Sequence, residues 1–117
     1  MRVHIGERDH CNGKPLYQEI VNLLRDRGYA GATVFRGIMG FGASSRVHKE
    51  TFFGLSADLP IVIECIETED RIKAVLPELD EMITGGLITL ERVKVILYRP
   101  HNASEENRDD WSLDVTG

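Results

Sequence analysis

Residues 31–48, GATVFRGIMGFGASSRVH, change character halfway along, and the way they do so decides the fold. Ala32 to Ile38 carry the β-branched and aromatic residues of a pleated strand. Gly40-Phe41-Gly42 and Ser44-Ser45-Arg46 then abandon every regular pattern and read as the start of a long polar loop. The next ordered stretch, Leu59 to Glu67 (LPIVIECIE), opens with a proline and continues as a β-branched run. It is a strand again, so two strands stand in succession with no helix between them.

Outward from this pair the pattern is symmetrical. Toward the N-terminus, Arg2 to Gly6 alternates Val3 and Ile5 with Arg2 and His4, the signature of a short strand with one core face. Residues 7–13 (ERDHCNG) are a polar connection. Pro15 suits a helix start, where its missing N–H has no partner to lose, and Leu16, Ile20, Leu23 and Leu24 share one helical face. Gly28 ends that helix in the left-handed conformation glycine adopts most cheaply.

Toward the C-terminus, Thr68 caps a second helix whose first turn carries Glu69 and Asp70 against the positive end of the helix dipole. Ile72, Val75, Leu76, Leu79, Met82 and Ile83 keep the 3.6-residue period, and Pro77 predicts a kink. Gly85-Gly86 stops the helix, and Val93 to Tyr98 (VKVILY) is the expected fourth strand.

The order β-α-β-β-α-β is that of an α+β, ferredoxin-like sandwich: a four-stranded antiparallel sheet with two helices on one face. Residues 1–100 form this domain, and residues 101–117 form a flexible acidic tail. The other sheet face then presents Val62, Glu64 and Ile66, joined by Ile96 and Tyr98 if the last strand points the same way. With no third layer in the chain, the expected cover is another subunit.

Composition bounds the function. The chain has 117 residues, 42% hydrophobic and 28% charged, enough for one core and typical of a globular domain. No apolar run nears the roughly 20 residues of a spanning helix, and the start lacks a long apolar segment. A cytoplasmic protein that is not membrane-embedded is expected, and Cys11 and Cys65, with no paired spacing, suit a reducing compartment. Of the net charge of −5, the tail supplies −4 through Glu105, Glu106, Asp109, Asp110 and Asp114 against Arg108. The body is nearly neutral and its first and third strands lack stacking aromatics, which argues against nucleic acid.

Three chemistries compete for the loop. Gly40 and Gly42 with Ser44, Ser45 and Arg46 have the makings of an anion cradle, although this is neither a dinucleotide nor a P-loop fingerprint. Ser44 or Ser45 with His48 and Asp58 or Glu50 supply the residue types of a small hydrolase, without the GxSxG elbow. His4, His10, Cys11, His48 and His101 lack the paired spacing of a metal site.

The motifs GKPLY (13–17), AGATVFRGIMGFGASS (30–45) and DLPIVIE (58–64) resemble those of an uncharacterised PII-like family related to the nitrogen regulatory PII signalling proteins. The likeness runs from about residue 2 to residue 98. It implies a homotrimer that binds a small-molecule ligand in clefts between subunits and acts on a protein target through a long loop. It further implies a membrane transport protein, of the fluoride-exporter type, as partner.

Thr33 and Gly40-Phe41-Gly42 match positions lining the nucleotide cleft of PII, and Glu64 matches a cleft carboxylate. The basic residue that follows GFG in PII is Ala43 here, which leaves the phosphates to Ser44, Ser45 and Arg46. The glycine- and lysine-rich loop of PII is reduced to Thr84-Gly85-Gly86. The expected protein is a regulatory module and not an enzyme. It has no cofactor or metal, an adenine nucleotide as ligand, and residues 43–58 as its effector loop.

Overall fold

The structure, a computed structural model, describes residues 1–42, the strand at 48–49 and residues 58–101. The acidic tail from residue 102 and most of the 43–58 loop, including Ser44, Ser45, Arg46 and Glu50, lie outside the described residues.

Among the described residues eight strands and two helices follow one another: β1 (Arg2–Gly6), β2 (His10–Cys11), β3 (Lys14–Pro15), α1 (Leu16–Asp26), β4 (Thr33–Arg36), β5 (Met39–Gly40), β6 (His48–Lys49), β7 (Pro60–Glu64), α2 (Glu69–Met82) and β8 (Leu87–Thr89). The main sheet has the order β4-β7-β1-β8, with every neighbouring pair antiparallel. This is the ferredoxin-like arrangement, in which the first and third long strands lie at the centre.

Strand alternation divides the sheet into two faces. Val3, Ile5, Ile61, Ile63 and Cys65 are buried against Leu16, Ile20 and Leu24 of α1 and Ile72, Val75 and Leu79 of α2. Each such aliphatic side chain contributes about 1.5–3 kcal/mol by leaving water. The opposite face carries two cross-strand rows set by the register. Phe35, Val62, His4 and Leu87 form one, and Thr33, Glu64, Arg2 and Thr89 form the other. Phe35 and Leu87 are more than half exposed, so this face is left uncovered by the described residues.

Local chemistry explains the element ends. After α1, Tyr29 N–H donates to Leu24 O and Gly28 N–H to Arg25 O, a Schellman pair with Gly28 at φ +72°. Before α1, Asn12 (φ 53°) and Gly13 (φ 77°) turn β2 into β3 as a type I′ hairpin. Residues 7–13 are thus more ordered than the plain connection read from their polarity. Thr68 is the N-cap of α2, but its hydroxyl makes no capping bond; instead its N–H donates to Glu67 Oε1 at 3.2 Å. The helix runs through Pro77 to Met82.

Two expectations need correction. The fourth strand is Leu87–Thr89, not Val93–Tyr98. Gly86 passes so close to the His4 carbonyl that a Cβ would lie 2.6 Å from it, and the chain enters the free edge of β1 at once, Leu87 opposite His4. Thr89 reaches Arg2, the first residue of β1, so Val93–Tyr98 runs beyond the sheet with Val95, Ile96, Leu97 and Tyr98 more than half exposed. Ile96 and Tyr98 therefore do not join the uncovered sheet face. The second correction concerns the loop after β4, which is not irregular throughout. Met39 pairs with Lys49 and Gly40 with His48, so it leaves the sheet as a two-stranded ribbon.

Candidate functional site

At one end of the strands a cleft of about 1120 Å³ opens between the Thr33–Glu64–Arg2–Thr89 row, the start of α2 and the segment after β8. Thr33 and Glu64 are register partners on neighbouring strands, which puts a hydroxyl beside a carboxylate. Arg2, opposite Glu64 on β1, donates from Nε to Glu64 Oε2 at 3.0 Å and from Nη1 to Glu91 Oε2 at 3.3 Å. The hydrogen bond and charge of Glu64, aided by Glu91, raise the Arg2 pKa above its ordinary value. The guanidinium is a fixed positive charge in the middle of the row.

Above it, Ala30 N–H donates to Glu67 Oε2 at 3.1 Å, and Arg71 approaches the same carboxylate at 3.7 Å, tying the entry of β4 to the start of α2. The charged lining comprises Arg2 and Arg92 against Glu64, Glu67, Glu69 and Glu91. Carboxylates outnumber guanidiniums, so this end favours the hydroxyl and amino groups of a ligand over its phosphates.

The glycine turn lies at the other end of β4. Gly37 N–H donates to Pro60 O at 2.7 Å, and a Cβ on Gly40 would meet Pro60 Cγ at 2.7 Å. Gly40 therefore has a packing reason to be glycine, independent of any anion. Phe41 is 68% exposed and Gly42 has open space around it. Asp58, at the far end of the loop, accepts from Arg8 N–H at 2.8 Å and lies against Gly6. That bond engages the carboxylate considered above as the orienter of a Ser–His pair.

Gly85 and Gly86 line a smaller recess of about 420 Å³ beside Leu76, Leu79 and Asp80. They precede β8 at one edge of the sheet, whereas Thr33 begins β4 at the other, three strand spacings or roughly 14 Å across. Thr33 and Glu64 are brought together. Gly40, Phe41 and Gly42 stand apart from them along β4, and Gly85 and Gly86 stand apart across the sheet.

Arg2, Thr89 and Glu91 complete the cleft and were not among the residues singled out from the sequence. The signal for Arg2 was present, since it is the outward member of the Arg2-Val3-His4-Ile5 alternation and faces the same way as Glu64. Among the described residues no three His, Cys, Asp or Glu side chains gather as a metal site, and no helix is long and apolar enough to cross a membrane.

Comparison with known proteins places this architecture in a family. Residues 1–95 match the DUF190 family, described as "Uncharacterized ACR". A UPF0166 protein of Aquifex aeolicus is 41% identical over 96 residues, covering 82% of this chain and 90% of the relative. A second from the same organism is 40% identical over 95 residues, covering 81% and 93%. A UPF0166 protein of Methanocaldococcus jannaschii is 38% identical over 91 residues, covering 77% and 83%. With nearly the whole described body matched, the chain belongs to the DUF190 family.

Proposed function

We propose that the protein is a PII-like regulatory module and not an enzyme. It binds a small ligand, an adenine nucleotide, in clefts between the subunits of a homotrimer and acts on a protein partner through residues 43–58. One observation carries the reading. The residues suited to ligand binding are spread across the sheet, Thr33 on the β4 edge with Glu64 beside it on β7, and Gly85-Gly86 leading into the β8 edge. One chain cannot close them around a molecule; two copies set side by side can.

In this arrangement Glu64 and Thr33 accept and donate to the base and sugar, while the phosphates lie toward the glycine turn and Arg46. Gly40 belongs to both β4's continuation and the ribbon that begins the loop, so a ligand held there couples directly to the effector segment. Binding then selects one arrangement of the loop, which grips or releases the partner. The PII-like resemblance points to a membrane transport protein as that partner.

Isothermal titration with adenine and guanine nucleotides, paired with product analysis, tests the reading. Saturable binding without turnover, weakened by Arg46→Ala, is expected. Binding of no nucleotide, or hydrolysis abolished by His48→Ala, would overturn it.

A further inference from the structure

We infer that Val93–Tyr98 is an exchanged strand, which pairs with the outer edge of β4 in a second copy of this chain. The inference rests on the assembly part of the proposal above and not on its ligand. The segment VKVILY has the composition of a strand, yet among the described residues it pairs with no strand of its own chain. Its side chains are not stowed either: Val93, Val95, Ile96 and Leu97 are each slightly more than half exposed, and Tyr98 is 63% exposed. An apolar segment of this composition, with its side chains more than half open to water and no strand partner among the described residues, is costly to maintain alone.

Val93, Val95, Leu97 and Tyr98 all border the large cleft, so the segment faces the end of the sheet across it. The segment thus forms one wall of the cleft, opposite the body of the domain.

The complementary edge is in the same molecule. Among the described residues the sheet order leaves β4 at one end, with no strand on its outer side. Val34 lies in the row with Ile63, Val3 and Ile88 on the helix-facing side of the sheet, yet it is 38% exposed. Phe35, on the opposite face, is 51% exposed. An incoming strand would satisfy the free backbone of β4 and cover Val34 on one face and Phe35 on the other, the geometry of strand addition. β4 and Val93–Tyr98 occupy different places in the chain, so the contact is heterologous. Repeated around an axis, it closes into a ring and needs no further partner.

The test combines sedimentation with amide hydrogen exchange on the full chain and on two variants, Val95→Asp in the donor segment and Val34→Lys in the acceptor edge. Wild-type protein is expected to sediment as an oligomer at micromolar concentration. Amides of both 33–36 and 93–98 should exchange about a hundredfold more slowly there than in monomeric variants. Each variant is expected to sediment as a monomer with an unchanged circular dichroism spectrum. A wild-type monomer would overturn the inference. So would an oligomer that survives both substitutions, or one whose 93–98 amides exchange at unstructured rates. Slow exchange at 93–98 with an open 33–36 edge would place the strand elsewhere and equally refute it. An oligomer that binds no nucleotide leaves the inference standing and removes the regulatory reading, so the two fail separately.

Discussion

Arg2 and Glu64 face each other across the central strand pair and join through a 3.0 Å contact between Nε and Oε2, at the mouth of the cleft that also holds Thr33. Both side chains remain substantially solvated, so the pair contributes little to stability. In the proposed reading it fixes a carboxylate where a ligand's hydroxyl or amino group can meet it. Glu64→Gln is therefore expected to leave the thermal midpoint nearly unchanged while weakening nucleotide binding about tenfold to a hundredfold, the worth of one hydrogen bond to a charged group. Calorimetry and thermal denaturation of the same preparation check both halves.

The core offers a contrasting set of sites. Leu79 of α2 and Ile63 of β7 are essentially inaccessible to water and pack in the same cluster. Leu79→Ala and Ile63→Ala are each expected to cost about 2–5 kcal/mol, through lost burial and the cavity left behind. Urea unfolding should register this as a lower midpoint with an unchanged slope.

Two glycines are expected to resist substitution for different reasons. Gly28→Ala forces a left-handed conformation on a residue with a Cβ and should cost about 1–2 kcal/mol without moving any neighbour. Gly86→Ala places its Cβ 2.6 Å from the His4 carbonyl, so the backbone itself must shift and β8 must loosen from β1. A loss of about 1–3 kcal/mol is expected. Faster amide exchange at 87–89 in the Gly86 variant, and not in the Gly28 variant, distinguishes them.

Burial pushes the Cys65 thiol pKa up, because the thiolate is poorly solvated between the sheet and the helices. Above the ordinary thiol pKa of about 8.5, the unfolded chain releases this proton while the folded chain keeps it. The unfolded state then binds fewer protons, and stability falls as pH rises from there toward the higher folded value. Cys65→Val should flatten that alkaline slope, as denaturation at pH 7 and pH 10 would reveal. At neutral pH, Cys11 is expected to react with iodoacetamide well before the buried Cys65.

Much of the fold was legible because its signals are local. The alternation of Val3 and Ile5, the helical spacing of Ile20 and Leu24, and that of Ile72, Val75 and Leu79 each mark a face that burial then uses. Gly28 behaves as its position after a helical run requires. The Asn12-Gly13 hairpin was equally local and was passed over, since the polar residues around it concealed two very short strands.

The candidate site divides along the same line. The motifs drew attention to Thr33 and Glu64 separately, but their adjacency, and the place of Arg2 beside them, are matters of register between strands about 30 and 60 residues apart in the chain. Gly40 and Gly86 read alike as permissive residues, whereas each makes a distinct close approach, to Pro60 and to the His4 carbonyl.

The sequence by itself determined the faces, the Gly28 helix stop and the βαββαβ order, because hydrophobic period and turn chemistry act over a few residues. Only the tertiary structure decided which of two apolar runs after α2 would close the sheet. Leu87–Thr89 and Val93–Tyr98 both suit a strand; the free edge of β1 accepts the one that Gly86 delivers to it, and the other is left extended beyond the sheet. Pairing is a competition for a backbone edge, and its outcome depends on where that edge lies in space.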